Sequence, residues 1–199
     1  PKINSFISEN FYENRLFFNQ TNINRKIEYK KNSIIKSDGI HSIEMNHEGR
    51  SQQSIEEFEI IKKIIDQSIG CEFTDFDNSK RKINVNDILI VSPYNVQVNF
   101  LKERLIKGIR CGTIDKFQGM EAPIVIISMT SSSVEDLPRN KKFFFNRNRL
   151  NVAISRAQCS SILLINPKLL ESPPIDYEEF RLINNFQKLM KFKIKNVKR

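Results

Sequence analysis

Apolar residues recur at helical spacing from Ile55 through Phe58, Ile61 and Ile65 to Ile69, where Gly70 ends the run. Ser54-Ile55-Glu56-Glu57 opens this segment as a capping box, with Ser54 capping the amide three residues on and Glu57 reaching back. Ile88–Val91 is a short continuous apolar run closed by Ser92-Pro93, the pattern of a strand buried on both faces. Residues 95–105 then place Val98, Leu101 and Leu105 on one side of a helix. A strand is predicted over 109–114, a tight turn over 115–119, and the strongest strand of the chain over 123–129 (P-I-V-I-I-S-M). Residues 150–157 predict a helix, 161–165 a strand and 177–190 a closing amphipathic helix. The rest is weaker. Residues 4–12 suit a short helix with Ser5 or Ser8 as cap, and 40–46 alternate as a strand does. Residues 19–37, 75–86 and 131–147 are polar and predict loops, the last broken by Phe143-Phe144-Phe145.

Strands separated by helices argue for an α/β fold, a mainly parallel sheet with helices on both faces. Ligands of such sheets gather outside the carboxyl ends of the strands. Three segments are expected there: 92–97, 113–121 and the loop after Met129.

Composition narrows the classes. The 199 residues carry 32 Lys+Arg against 23 Asp+Glu, a formal charge of +9, which points weakly to a polyanionic partner. Six of those basic residues fall within 188–199, a tail expected to fray. No apolar run approaches the ~18 residues of a membrane span, so no membrane partner is expected. Cys71, Cys111 and Cys159 are scattered and odd in number, which excludes a disulfide framework and suits a reducing, cytoplasmic setting. The two histidines, His41 and His47, have no partners at metal-site spacing. None of the six glycines is followed by Lys, so the phosphate loop G-x-x-x-x-G-K-[ST] is excluded. The start at Pro1, without Met or a signal peptide, leads us to expect a piece of a longer chain.

Two segments carry the chemistry. Thr113-Ile114-Asp115-Lys116-Phe117-Gln118-Gly119-Met120-Glu121 crowds Asp, Gln and Glu between two strands; an Asx-type turn with solvated Gln and Glu is the plain alternative. In Arg149-Leu150-Asn151-Val152-Ala153-Ile154-Ser155-Arg156-Ala157, Arg156 stands between small neighbours and can project a five-donor fork toward phosphate. Its plain alternative is a surface arginine.

Together these segments resemble motifs V and VI of superfamily 1 helicases. Residues 88–101 (I-L-I-V-S-P-Y-N-V-Q-V-N-F-L) resemble motif IV, and the opening P-K-I-N-S-F-I-S-E-N-F-Y resembles the stretch after motif III in the branch containing the nonsense-mediated-decay helicases. The resemblance runs nearly end to end. It implies the second, C-terminal RecA-like domain of such a helicase, a P-loop NTPase-type domain without its own Walker A. A lead-in segment would occupy residues 1–40 and the domain proper 41–199. ATP and Mg²⁺ would lie between this domain and a first, N-terminal RecA-like domain. Arg156 would be the catalytic arginine finger, and Gln118, Gly119 and Glu121 would join it in binding ATP. Ser92, Pro93, Tyr94 and Thr113 would meet single-stranded or partly duplex nucleic acid, with Tyr94 either stacked on a base or packed. Arg149 would support the site or pair with an acid, and the Phe143–Phe145 cluster would pack. A narrower resemblance, in S-S-S-V-E-D-L-P-R-N, F-F-F-N-R-N-R-L-N-V-A and R-L-I-N-N-F, is to bacterial proteins that fuse a RecB-like nuclease to this helicase type. The other class of function is a non-catalytic RecA-like module that binds nucleic acid or regulates; DNA and RNA are not distinguished.

Overall fold

The computed structural model of the chain describes residues 2–17, 20–117, 119–138 and 141–194. Five strands form one all-parallel sheet: β2 (Gly39–Glu44), β5 (Ile88–Val91), β6 (Arg110–Gly112), β7 (Ala122–Ser128) and β8 (Ala157–Ile165), in the spatial order β2-β8-β7-β5-β6. Three short strands, β1 (Lys26–Glu28), β3 (Glu72–Thr74) and β4 (Lys80–Lys82), make a small antiparallel sheet beside it. The helices are α1 (Lys2–Phe11), α2 (Ile55–Ser68), α3 (Asn95–Arg104), α4 (Lys141–Phe144), α5 (Arg147–Ser155) and α6 (Tyr177–Met190).

The central strands are apolar at nearly every position because both faces of the sheet are covered. All four residues of β5 and all seven of β7 are buried. Alternate side chains divide between two cores. Ile88, Ile90, Ile124, Ile126, Ile162 and Leu164 pack with α2 and α3, whereas Leu89, Val91, Val125, Ile127, Leu163 and Ile165 pack with α1, α5 and α6. Each such side chain contributes roughly 1.5–3 kcal/mol by leaving water. The register is tight, with Ile90 opposite Ile126 and Ile126 opposite Ile162. The first forty residues feed both cores, Ile3, Phe6 and Ile7 into one and Ile27 and Ile35 into the other.

The α/β expectation therefore holds, with local corrections. Ser54 caps α2 by accepting the Glu57 N–H at 3.1 Å, but the Glu57 carboxylate does not return to the cap; it turns into the interior. The predicted loops at 19–37 and 75–86 contain β1 and β4, and β8 begins four residues earlier than the apolar run suggested. The expected fray of the tail starts too early. Ser42 N–H donates to Phe192 O at 3.0 Å and Ile194 N–H to Ser42 O at 2.9 Å, so residues 192–194 lie along the outer edge of β2. Residues 195–199 of that expectation lie outside the described residues. Phe144 and Phe145 pack in the core as expected, edge-to-face at 5.0 Å.

Candidate functional site

A residue that follows a strand in a parallel sheet lies at its carboxyl end, and one that precedes a strand lies at its amino end. Ser92, Pro93 and Tyr94 follow β5, and Thr113 follows β6; Glu121 immediately precedes β7 and Arg156 immediately precedes β8. The expected gathering at the carboxyl ends is thus divided: Pro93, Tyr94 and Thr113 line one cleft, and Glu121 and Arg156 line another at the opposite end of the sheet.

The carboxyl-end cleft has a volume of about 450 Å³ and is lined by Gln52, Pro93, Tyr94, Asn95, Val96 and Thr113, with Asp115, Pro138 and Arg149 among its remaining residues. Two of the nucleic-acid candidates are buried, and of the two alternatives for Tyr94 the structure shows the packed one. Ser92 is fully buried, its Oγ accepting the Tyr94 N–H at 3.4 Å, so its hydroxyl reaches no ligand in solution. The Tyr94 ring is packed on Phe144, with ring centres 6.2 Å apart, and only 5% of the residue is exposed. Pro93 and Thr113 keep half-buried positions in the cleft wall. Arg149 pairs with Asp115 at 3.4 Å.

The amino-end cleft has a volume of about 370 Å³ and brings Glu121 and Arg156 together with Tyr12, Asn151, Ser155 and Gln158. Two donors of the Arg156 guanidinium are committed locally, Nε to Val152 O at 3.2 Å and Nη2 to Ser155 Oγ at 3.1 Å. These bonds fix its plane and leave the remaining N–H donors without a partner among the described residues, which suits an incoming anion. Glu121 Oε2 accepts from Gln158 Nε2 at 3.2 Å, and Tyr12 Oη accepts from Asn151 Nδ2 at 3.0 Å. Asn151 Oδ1 is buried with no hydrogen-bond partner among the described residues. Gly119 adopts φ +82°, a left-handed conformation that favours glycine; Gln118 lies outside the described residues.

Sequence reasoning missed Gln158, Tyr12 and Gln52. Gln158 had a readable signal, since it stands one residue inside a strand that begins beside Arg156. Tyr12 and Gln52 had none, because each reaches its cleft from a distant part of the chain.

Two segments run from one cleft to the other. Residues 113–121 leave the carboxyl end of β6, pass through a 3₁₀ turn (Ile114–Phe117) and arrive at the amino end of β7. The Phe117 ring lies over Gly112, where an added Cβ would meet it at 2.7 Å, so this turn folds tightly against the strand it leaves. Helix α5 runs beside that turn, starting near Arg149 in one cleft and ending at Arg156 in the other. The Asp115–Arg149 pair ties the two segments together.

The amino-end cleft fits an anion but offers no cage for Mg²⁺: among the described residues no group of three or more His, Cys, Asp or Glu side chains gathers. A larger hollow of about 730 Å³ between β2 and α2, floored by Ile43, Met45 and Ile60, shares no residue with either cleft. Among the described residues no helix is long and apolar enough to cross a membrane.

Comparison with known proteins identifies the family. Residues 1–168 match the family described as AAA domain. The chain is 28% identical over 172 residues, 82% of its length, to an uncharacterized ATP-dependent helicase of Caenorhabditis elegans, covering 10% of that protein. It is 34% identical over 99 residues, 46% of its length, to the probable RNA helicase armi of Drosophila melanogaster, covering 8% of it. It is 32% identical over 100 residues, 45% of its length, to a regulator of nonsense transcripts 1 homolog of Arabidopsis thaliana, again covering 8%. The chain thus spans about a tenth of the length of these relatives. A five-stranded parallel sheet covered on both faces, matched to this family over most of its length, makes the chain a member of the AAA-domain family: a RecA-like domain homologous to ATP-dependent helicases.

Proposed function

We propose that this chain is the second RecA-like domain of a nucleic-acid helicase or translocase of the superfamily 1 type, and that it completes an ATP site begun by a first RecA-like domain. The observation that carries this is the joining of the two clefts by 113–121 and α5. In this reading residues 1–40 lead in from the first domain while contributing Ile3, Phe6, Ile7, Ile27 and Ile35 to the cores, and the helicase motifs follow within 41–199.

In this reading the triphosphate enters the amino-end cleft. Arg156, held in plane by Val152 O and Ser155 Oγ, presents its remaining donors to the γ-phosphate oxygens as charge develops there. Glu121, steadied by Gln158, meets the nucleotide nearby, and Gly119 lets the loop make its turn. Mg²⁺ would neutralise phosphate charge from ligands on the first domain, since no group of three or more His, Cys, Asp or Glu gathers among the described residues. At the other cleft, Thr113 offers its hydroxyl to a strand's phosphates and Pro93 forms the wall beside it, a contact that carries little base information. A fused nuclease domain, suggested by the narrower resemblance, belongs to the same proposal.

The test is ATP hydrolysis by a protein that pairs this chain with a first RecA-like domain. Arg156→Ala is expected to cut turnover by about 10³-fold while nucleotide affinity stays within a few-fold. The 199-residue chain alone is expected to show no turnover. Wild-type turnover in the variant would sink the arginine assignment. Strand binding that is salt-sensitive, in a two-domain protein that never hydrolyses ATP, would favour the non-catalytic clamp instead.

A further inference from the structure

Beneath the carboxyl-end cleft lies a buried polar network that neither cleft uses. The Glu57 side chain is fully buried. Its Oε2 accepts from Ser128 Oγ at 2.5 Å, and its Oε1 accepts from the Thr130 N–H at 2.9 Å. His47 Nε2 stands 3.6 Å from Oε1, also fully buried. Ser128 Oγ accepts in turn from Gln97 Nε2 at 3.1 Å, and Gln97 Oε1 accepts from the Ser54 N–H at 3.1 Å. On the far side, His47 Nδ1 pairs with Ser132 Oγ at 2.7 Å, and Ser132 N–H donates to Arg50 O at 2.8 Å. Ser131 Oγ donates to Ser51 O and Ser51 Oγ donates to Asp136 O, both at 2.6 Å.

The order Ser132–His47–Glu57 mimics a nucleophile, base and acid. None of the clefts described above opens on Ser132 or His47, so no substrate reaches it. The network's outputs are structural. Gln52 follows Ser51, Asn95 and Val96 precede Gln97, and Pro138 stands two residues after Asp136; all four line the cleft. A buried carboxylate costs several kcal/mol in desolvation, and an apolar side chain would pack a helix against a sheet without that cost. What the carboxylate adds is direction. It holds two donors two residues apart, at the last residue of β7 and just beyond it, where Thr130 takes a left-handed φ of +65°.

We propose that Glu57 is a positioning residue for the carboxyl-end cleft: its two oxygens fix residues 128–132, and through them the walls carrying Gln52, Asn95, Val96 and Pro138 that meet a nucleic-acid strand. This rests on the reading of that cleft as the strand contact. The role is positional because Glu57 touches no part of the cleft itself.

The test uses the 199-residue chain and a fluorescein-labelled oligouridylate, read by anisotropy well below the unfolding midpoint of every variant. Glu57→Gln keeps the shape but accepts one donor where the carboxylate accepts two. It is expected to weaken strand binding about tenfold. In amide NMR spectra the Thr130, Gln52 and Thr113 resonances should move, while Glu121 and Gln158 at the other cleft stay in place. If Glu57→Gln does not fold, Ser128→Ala removes one of the two bonds and is expected to weaken binding about threefold with the same localised shifts. A folded Glu57→Gln chain with unchanged affinity, or with shifts spread equally over both clefts, overturns the proposal. A wild-type chain that shows no strand binding, though Thr130 still shifts in the variant, refutes instead the strand reading on which the proposal stands.

Discussion

Asp38 shows how a single side chain sets a pH dependence. Burial pushes its carboxyl up to about 6, against the hydrogen bond from Ile27 N–H and the charge of Lys2. A folded pKa above the ordinary 3.8 means that the fold favours the protonated form. The stability from this group is fully present below about pH 4 and is lost as pH rises through about 6. Asp38→Asn should remove that loss, so the fall in urea midpoint between about pH 4 and pH 7 becomes smaller than in the wild type. An unchanged fall in the variant would refute it. Burial acts likewise on the thiols, raising Cys111 to about 12 and Cys159 further, which leaves both unreactive. Placement at this scale was only half legible in the sequence. Arg156 and Glu121 are singled out by the resemblance to helicase motifs V and VI, since by residue type alone each could equally be a solvated side chain. That Ser92 and Tyr94 face inward was not readable, because burial of a polar or amphipathic side chain depends on what packs above it, here Phe144 from a distant segment.

Helix α2 illustrates the element scale. Its predicted apolar face ran from Ile55 to Ile69, yet Ile55 is 50% exposed, while Ile60 and Ile64, outside the predicted series, are buried. Helical spacing gives the direction of a face but not its width or where along the helix contact begins. Ile61→Ala should therefore cost about 3 kcal/mol in chemical denaturation, and Ile55→Ala less than about 0.5 kcal/mol. Equal costs would contradict the packing. The long parallel strands were legible because burial on both faces demands continuous apolar residues. Strand β4 was not, since Lys80, Arg81 and Lys82 are all exposed and carry no alternation. The early half of β8 was hidden for the opposite reason: Ser160 is polar but buried, and its Oγ accepts a hydrogen bond from Tyr29 Oη at 2.7 Å.

For the whole molecule, the division of the candidate residues between two ends of the sheet is the central result. It follows from chain direction alone, and so was available in the sequence once each residue was placed before or after its strand. If the crossing segment transmits strand contact to the nucleotide cleft, its length matters more than its side chains. One extra glycine after Gly119 adds roughly 3.5 Å of reach. In a protein that pairs this chain with a first RecA-like domain, the insertion should reduce stimulation by single strands far more than it reduces strand-independent ATP hydrolysis. Retained stimulation would rule out that route. The clasp of residues 192–194 on β2 has a different consequence, in solution behaviour. β2 is six residues long with apolar side chains on both faces, and a bare edge of that kind is a template for pairing with other chains. The clasp grips it near its middle, at Ser42, and breaks the free edge into pieces too short to seed a stack. Whatever loosens the end of α6 therefore governs how readily the protein aggregates, even when the sheet and both clefts remain intact.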